Sequence, residues 1–422
     1  MYDVIIVGAG ASGLVAAYEL AANDQRLNIL VIEKERIPGR KLNATGNGKG
    51  NLTNKQFGVE RFYCSKQEFI NEFVMQHSSE EIVSFFEQAG ILLYEKDGYY
   101  YPVCNQAKQI TDILYARCCN KGIKFVLDTE VISVSKELNG KEKVYIVNAV
   151  KQSITDSSQS VMYHAANVIL CTGGMAAPKL GGSDSGYRIA KKLKLSREKV
   201  VPVLTPAYVE DKDLKRAKGV RLNVSISLCR SGKRIRKESG QLQINDDSLS
   251  GIAMMNLSCY FNHFEKEERK ECLQIDTFPD MTWDRLKEYI KKQSCVVPDE
   301  TLLTLLEALF PLKFGEYLIK RLGLEPNLLI GKLTEKHLNR ITSLIKKMTF
   351  TPVERMDFEK AQVTSGGVSV EEVNIKSFEC RKYPGLYITG ELLDVNGECG
   401  GYNLTFAMLS GLQAAHSILS YE

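Results

Sequence analysis

The chain opens on Val4-Ile5-Ile6-Val7, a β-branched run of the kind that forms a buried parallel strand. Gly8-Ala9-Gly10-Ala11-Ser12-Gly13 follows at once. The Ala- and Leu-rich stretch Leu14–Ala22 then reads as a helix, and a second β run, Ile29–Ile32, ends in Glu33. This is G-x-G-x-x-G set between strand and helix, with a carboxylate 20 positions beyond Gly13. The arrangement commits the chain to an α/β fold with a dinucleotide at the first strand–helix turn. Gly8 permits the tight turn, Gly10 lets backbone N–H groups approach a pyrophosphate, and Gly13 lets the helix pack on the strand. The helix N-terminus favours the negative phosphates, and Glu33 is placed to accept hydrogen bonds from ribose hydroxyls.

Later segments point to FAD rather than NAD. Gly39–Asn54, directly after the second strand, is dense in Gly, Asn and Thr and offers backbone donors to a bulky polar ligand. Val168–Gly174 reads as a buried strand running into glycines, and Leu386–Asp394 as a strand ending in glycine and acid. Gly397-Glu398-Cys399-Gly400-Gly401-Tyr402-Asn403-Leu404 then opens a second helix near the C-terminal end. A second glycine-led helix start suits a flavin ring or its ribityl–phosphate arm, which an NAD-only dehydrogenase does not need.

Composition narrows the partners. The 422 residues hold 55 basic and 51 acidic side chains, a net charge of +4 that argues against a general nucleic-acid binder. Eleven cysteines, an odd number with no C-x-x-C pair, argue against a metal site or a disulfide framework and read as reduced, cytosolic thiols. Asp3, Glu19 and the interrupting glycines set the opening apart from a signal peptide, and no run reaches the ~20 apolar residues of a membrane span. The expected chain is cytoplasmic, binds a small molecule and needs no nucleic acid, membrane or metal.

These segments are similar to a family of bacterial flavoproteins: the aminoacetone oxidase-like or NAD(P)/FAD-dependent oxidoreductases, also called HI0933-like, which include a 3-dehydro-bile-acid reductase. The resemblance covers nearly the whole chain. It runs through Gly39–Asn54, Tyr101–Ala107, Thr172-Gly173-Gly174 with Pro178 and Gly181, Val201–Leu204, Val363–Val368 and Gly390–Leu404. It implies non-covalent FAD and contacts at matching positions. Gly8, Gly10, Ser12 and Gly13 would meet the pyrophosphate, and Glu33 and Lys34 the adenosine side. Arg40, Lys41, Thr45, Gly46, Asn47 and Asn51 would line the flavin, Val131 would approach the adenine by its backbone, and Thr172 and Gly173 would sit close by. Gly390, Glu391, Asp394, Gly401, Asn403 and Leu404 would complete the site near the ribityl chain and ring. Two departures stand out. Gly50 occupies a position where the family has Cys. Asn245–Ile252 replaces a Thr-His-x-Gly-Leu-Ser-Gly-Pro pattern, putting Asp246 at the His position and Ile252 at the Pro position.

The expected architecture is a two-dinucleotide-binding Rossmann-type FAD domain, 1–195 and 362–422, with a β-rich insertion, 196–277 and 348–361, and a small helical module, 278–347. Val131–Val150 reads as a hairpin, Thr155–Ser160 as a polar turn, and Val220–Leu228 alternates with the period of a strand. Leu302, Leu303, Leu305, Leu306, Leu309 and Phe310 fall at helical spacing, as do Ile341, Leu344, Ile345 and Met348, while Lys346-Lys347 reads as a solvated face.

The chemistry expected is hydride transfer between the flavin and a small organic substrate held between the FAD domain and the insertion. Two other readings stand beside it: an NAD(P)H-dependent reductase of an enone or steroid, and a flavin-dependent nucleic-acid-modifying or RNA-binding protein. Without a second G-x-G-x-x-G, NAD(P)H would act as a transient reductant at the flavin face. No catalytic acid or base stands out. His77, His164, His263, His337 and His416 match no motif, Tyr99-Tyr100-Tyr101 suits ring stacking or strand packing, and Cys399 is a redox candidate without a C-x-x-C partner.

Overall fold

The computed structural model describes residues 1–139, 142–151, 159–261, 271–353 and 357–420. His263 and residues 155–158 of the expected polar turn lie outside the described residues. The chain divides into two compact units, Met1–Pro202 with Phe358–Glu422, and Val203–Asp357.

The first unit is built on a mixed sheet whose parallel heart runs Lys124–Val126, Ile29–Ile32, Tyr2–Val7, Gln159–Leu170 and Leu386–Ile388. Ile29–Ile32 is buried along its whole length, as a strand covered on both faces requires. The strand Gln159–Leu170 changes partners along its course. Its first half pairs antiparallel with Glu142–Lys151, which turns back on Thr129–Asn139, and its last three residues pair parallel with Leu386–Ile388. The hairpin expected over Val131–Val150 is therefore present. The helix Ala11–Asn23 buries nine residues and packs on the C-terminal helix Tyr402–Ser420. Gly411 allows the approach: a Cβ there would stand 2.6 Å from the Ser12 carbonyl oxygen.

The second unit carries an antiparallel seven-stranded sheet. Its central strands, Arg221–Arg230 and Lys233–Ile244, form a long hairpin. Val224, Ile226 and Leu228 face a core shared with the helices Trp283–Val296, Leu302–Glu307, Leu312–Leu322 and Glu335–Lys346. Two sequence expectations are corrected here. Met348 begins a strand, Met348–Phe350, because the helix before it ends at Lys346 and the chain joins the sheet beside Ile275. Lys346 is not a solvated side chain: its Nζ donates to the Phe278 carbonyl at 2.8 Å and pairs with Asp276 at 2.8 Å.

Candidate functional site

The glycine turn separates into glycines that the protein's own packing demands and one that it does not. Gly8 has φ +106°, and a Cβ on it would lie 2.5 Å from the Cys171 carbonyl oxygen. A Cβ on Gly13 would lie 2.0 Å from the Gly8 carbonyl oxygen. Both positions exclude a side chain whether or not anything is bound. Gly10 has an ordinary φ of −83°, and a Cβ there meets no atom within 4 Å. Gly173 faces open space in the same way. No side chain caps the helix that starts after Gly10, so its first N–H groups remain available to an anion.

Glu33 closes one side of the turn. Its Oε2 accepts the Ala9 N–H at 2.6 Å and its Oε1 the Glu35 N–H at 2.9 Å, and burial pushes its carboxyl above the usual range. Each carboxylate oxygen keeps a second lone pair for a hydroxyl. The Thr129 N–H donates to the Glu33 carbonyl at 2.9 Å. That contact leads into the strand carrying Val131, which is buried where the register slips before Ser133.

The C-terminal segments meet this turn directly. Ser12 Oγ lies 2.8 Å from Thr389 Oγ1, and the Gly390 N–H donates to Ser410 Oγ at 2.9 Å. Farther along, a Cβ on Gly401 would come within 3.0 Å of the Thr53 backbone, and Thr405 Oγ1 donates to Thr53 Oγ1 at 2.8 Å. Asn403 clamps the turn ahead of its own helix: its Oδ1 accepts the Gly397 N–H at 2.7 Å and its Nδ2 donates to the Gly397 carbonyl at 2.8 Å. Leu404, next to it, is half-buried.

The Gly39–Asn54 loop is tightly turned. Gly46 and Asn47 both have left-handed backbones, at φ 57° and 55°, and Thr45 Oγ1 donates to the Leu42 carbonyl at 2.7 Å. Arg40 and Lys41, adjacent in sequence, take different partners. Arg40 pairs with Glu35 and donates to the Lys179 carbonyl at 2.7 Å, and Lys34 approaches the same Glu35 at 3.8 Å. Lys41 Nζ reaches Glu391 Oε2 at 2.6 Å. Glu391 Oε1 in turn accepts the Thr364 N–H at 2.9 Å, and Thr364 Oγ1 accepts the N–H groups of Met175 and Ala176 at 2.9 and 3.0 Å. Asp394 Oδ2 accepts the Ser65 N–H at 3.0 Å, and burial raises its carboxyl.

Of the expected residues, Gly8, Gly10, Gly13 and Glu33 thus gather at one turn, Ser12 and Gly390 meet through Thr389 and Ser410, and Lys41 meets Glu391. Lys34 and Arg40 collect instead around Glu35. Thr364, Thr389 and Ser65 were not singled out from the sequence. Thr389 and Thr364 stood inside the segments Leu386–Asp394 and Val363–Val368 without a role of their own, and Ser65 lay in no segment singled out.

Two buried polar atoms test whether the site suits a dinucleotide. Asn51 Oδ1 and Thr172 Oγ1 find no hydrogen-bond partner among the described residues. Left so, each would cost about 1–3 kcal/mol. Together with the open faces of Gly10 and Gly173, they leave hydrogen-bonding capacity and room that the polypeptide does not use, and the residues fit the expected cofactor.

The other candidates have structural partners or inert chemistry. His77 pairs with Glu81 at 3.1 Å, His416 with Glu19 at 2.9 Å, and His337 Nδ1 accepts the Thr334 N–H at its helix start. Burial pushes the Cys399 thiol up to about 12, so it is protonated at neutral pH. Tyr99–Pro102 is a strand paired with Leu93–Lys96. Among the described residues no helix is long and apolar enough to cross a membrane, and no group of three or more His, Cys, Asp or Glu could hold a metal.

Comparison with known proteins adds to this geometry. The profile of the HI0933-like protein Rossmann domain matches residues 2–417. A 3-dehydro-bile acid delta(4,6)-reductase of Clostridium scindens is 28% identical over 417 residues, covering 99% of each chain. A ribosomal RNA dihydrouridine synthase of Haemophilus influenzae is 30% identical over 425 residues, covering 98% of each. The solved structure of a 3-ketosteroid delta1-dehydrogenase from Sterolibacterium denitrificans superposes with a TM-score of 0.53 over all of both chains, at 14% identity, a likeness of fold.

Proposed function

We propose, from the premise that this chain belongs to the HI0933-like Rossmann family, that it is an FAD-dependent oxidoreductase. In this reading it transfers hydride between non-covalent FAD and a small organic substrate. The observations that carry it are the open faces of Gly10 and Gly173, Glu33 bound to the backbone of the same first turn, and the buried Thr172 and Asn51 oxygens without a partner among the described residues. FAD, when bound, supplies the hydride chemistry. The chain's residues bind and orient it. The turn after Gly8 and the uncapped helix start would receive the pyrophosphate, and Glu33 the ribose. Asn403 would hold the second glycine turn rigid, and the Lys41–Glu391 pair would fix the Gly39–Asn54 loop against Thr364.

The names of the two relatives share a type of bond. A delta(4,6)-reductase of a 3-oxo steroid acid and an enzyme that makes dihydrouridine both saturate a carbon–carbon double bond conjugated with a carbonyl. That shared chemistry supports reduction of an enone-like bond; a transient NAD(P)H donor is a separate part of the reading, tested by anaerobic bleaching of the flavin. The shared chemistry also supports a second reading: a uracil ring within RNA as the substrate. The purified protein is expected to show a flavin absorbance band at about 450 nm. Absence of that band after reconstitution with FAD would falsify the reading. Anaerobic NADH or NADPH is expected to bleach it, and a screen of conjugated enones and uridine-containing RNA would then identify the oxidant.

A further inference from the structure

The near-neutral charge of the whole chain averages over two unlike units. The first unit, Met1–Pro202 with Phe358–Glu422, holds 29 basic and 29 acidic residues. The second, Val203–Asp357, holds 26 basic and 22 acidic, which is the entire excess of four. Within that unit, residues 212–237 contain ten Lys and Arg and one acid, Asp213.

Six of these cations, Arg221, Arg230, Lys233, Arg234, Arg236 and Lys237, lie on the two strands of the long hairpin, and the other four precede it around a short helical turn. The segment begins beside the short helical turn Leu214–Ala217, runs along the strand Arg221–Arg230 and returns into Lys233–Ile244. Four of the ten are engaged: Arg216 with Asp213, Lys218 with Asp246, Arg230 with Glu271 and Arg236 with Glu238. The other six, Lys212, Lys215, Arg221, Lys233, Arg234 and Lys237, are exposed and meet no carboxylate among the described residues. The hairpin face that includes Arg221 and Lys237 lies opposite the core-facing Val224 and Ile226. Between those two cations it carries Asn223, Ser227, Ser239 and Gln241. Asp276, the acid on the neighbouring strand beside Ser225, is neutralised by Lys346.

We propose that this basic hairpin is a docking surface for single-stranded RNA. A strand of ten residues extends about 33 Å, so the cations are spread along an elongated track rather than gathered in a pocket, which suits the spaced charges of a phosphate backbone. The uncharged amides and hydroxyls between them match a sugar–phosphate chain, which accepts and donates hydrogen bonds along its length. A segment that inserts into a membrane interface carries several bulky apolar side chains beside its cations; here Ile235, 42% exposed, is the large apolar group in the 233–237 run. The inference rests on the second of the two substrate readings above and needs no flavin turnover.

The test is fluorescence anisotropy of a labelled 20-nucleotide uridine-containing RNA with the full-length protein across a salt series. The wild type is expected to bind with an affinity that falls linearly on a log–log salt plot. The Lys233→Gln/Arg234→Gln/Lys237→Gln variant is expected to bind at least tenfold more weakly. Its slope should shrink by about 2, at about 0.7 for each phosphate no longer neutralised. A second variant, Lys212→Gln/Lys215→Gln/Arg221→Gln, tests the other end should the first fail to fold. Both are checked by melting temperature and flavin absorbance. Absence of RNA binding, a variant that binds like the wild type, or binding to phosphatidylserine vesicles in place of RNA overturns the proposal. RNA binding by a protein without a flavin band would leave the docking surface standing and remove the flavin reading alone.

Discussion

Ser12 Oγ and Thr389 Oγ1 stand 2.8 Å apart although 377 residues separate them in the chain. One belongs to the first turn of the opening helix, the other to the end of the strand Leu386–Ile388. Their hydrogen bond brings the first glycine turn and the Gly390 segment to one place, the condition under which both can serve a single dinucleotide.

The two kinds of glycine in the opening turn are separable by mutation. Gly10→Ala is expected to leave the melting temperature of the cofactor-free protein nearly unchanged, since surface changes usually stay within about 0.5 kcal/mol. It should nevertheless abolish stable FAD retention, because the methyl group enters the open face. Gly13→Ala should destabilise the protein with or without cofactor, because the added carbon collides with the Gly8 carbonyl. Calorimetry of the cofactor-free proteins and flavin absorbance after desalting distinguish them, and equal behaviour would contradict the assignment of Gly10.

Glu33→Ala is expected to weaken FAD binding by about 1–3 kcal/mol, the scale of hydrogen bonds to a charged group. It also strips the Ala9 and Glu35 N–H groups of their acceptor, so a lower melting temperature should accompany the loss. Titration of the cofactor-free protein with FAD measures the first effect, and unchanged affinity would remove Glu33 from the site.

Thr364→Val keeps the shape of the side chain and deletes the oxygen that receives the Met175 and Ala176 N–H groups. A loss of about 1–3 kcal/mol in unfolding free energy is expected, the cost of buried donors left without an acceptor. Thr364→Ser should restore most of it, measured by denaturant titration.

His416 makes a pH-dependent contribution. Its hydrogen bond to Glu19 raises the imidazole above its ordinary range against the opposing effect of burial, with Glu81 adding to the raise. A raised histidine contributes stability that is complete below the unfolded value of about 6.5 and is lost as pH climbs through the folded value. The group is half exposed, so solvent screening keeps the effect below about 1 kcal/mol. The melting-temperature difference between wild type and His416→Gln should be largest near pH 5.5 and vanish by pH 9; a difference that grows with pH would reverse the sign argued here.

Thiol labelling at pH 8 should be ordered by exposure. Cys104, Cys119 and Cys295 are exposed and should react first. Cys399 should stay unlabelled until the protein unfolds, because burial holds its thiol near 12. Mass spectrometry of the labelled peptides reads the order.

The elements whose signal is local were legible in the sequence. The glycine spacing, the β-branched runs at Val4–Val7 and Ile29–Ile32, and the alternation of Val220–Leu228 each correspond to the element observed. What escaped was set by partners remote in the chain. Met348 continues the helical spacing of Ile341 and Ile345, yet pairing with Ile275 draws it into the sheet. Lys346 looks solvated until the Phe278 carbonyl and Asp276 are brought to it. Thr389 and Thr364 lie within segments read from the sequence but received no role there, because what they do is join segments that only the fold makes neighbours. The charge of residues 212–237 was hidden by counting over the whole chain.

The interlocking of Ser12 with Thr389, and of Ala11–Asn23 with Tyr402–Ser420, also orders events during synthesis. The opening helix leaves the ribosome early and must wait with an uncovered apolar face until Tyr402–Ser420 has been made. The Val203–Asp357 unit owns all of its strands and its core, so it can complete itself meanwhile. Emergence of Leu386–Ile388 and Tyr402–Ser420 is then the step that seals the Rossmann unit, and a nascent protein stalled before residue 386 would present a finished Val203–Asp357 unit together with an unfinished Rossmann unit.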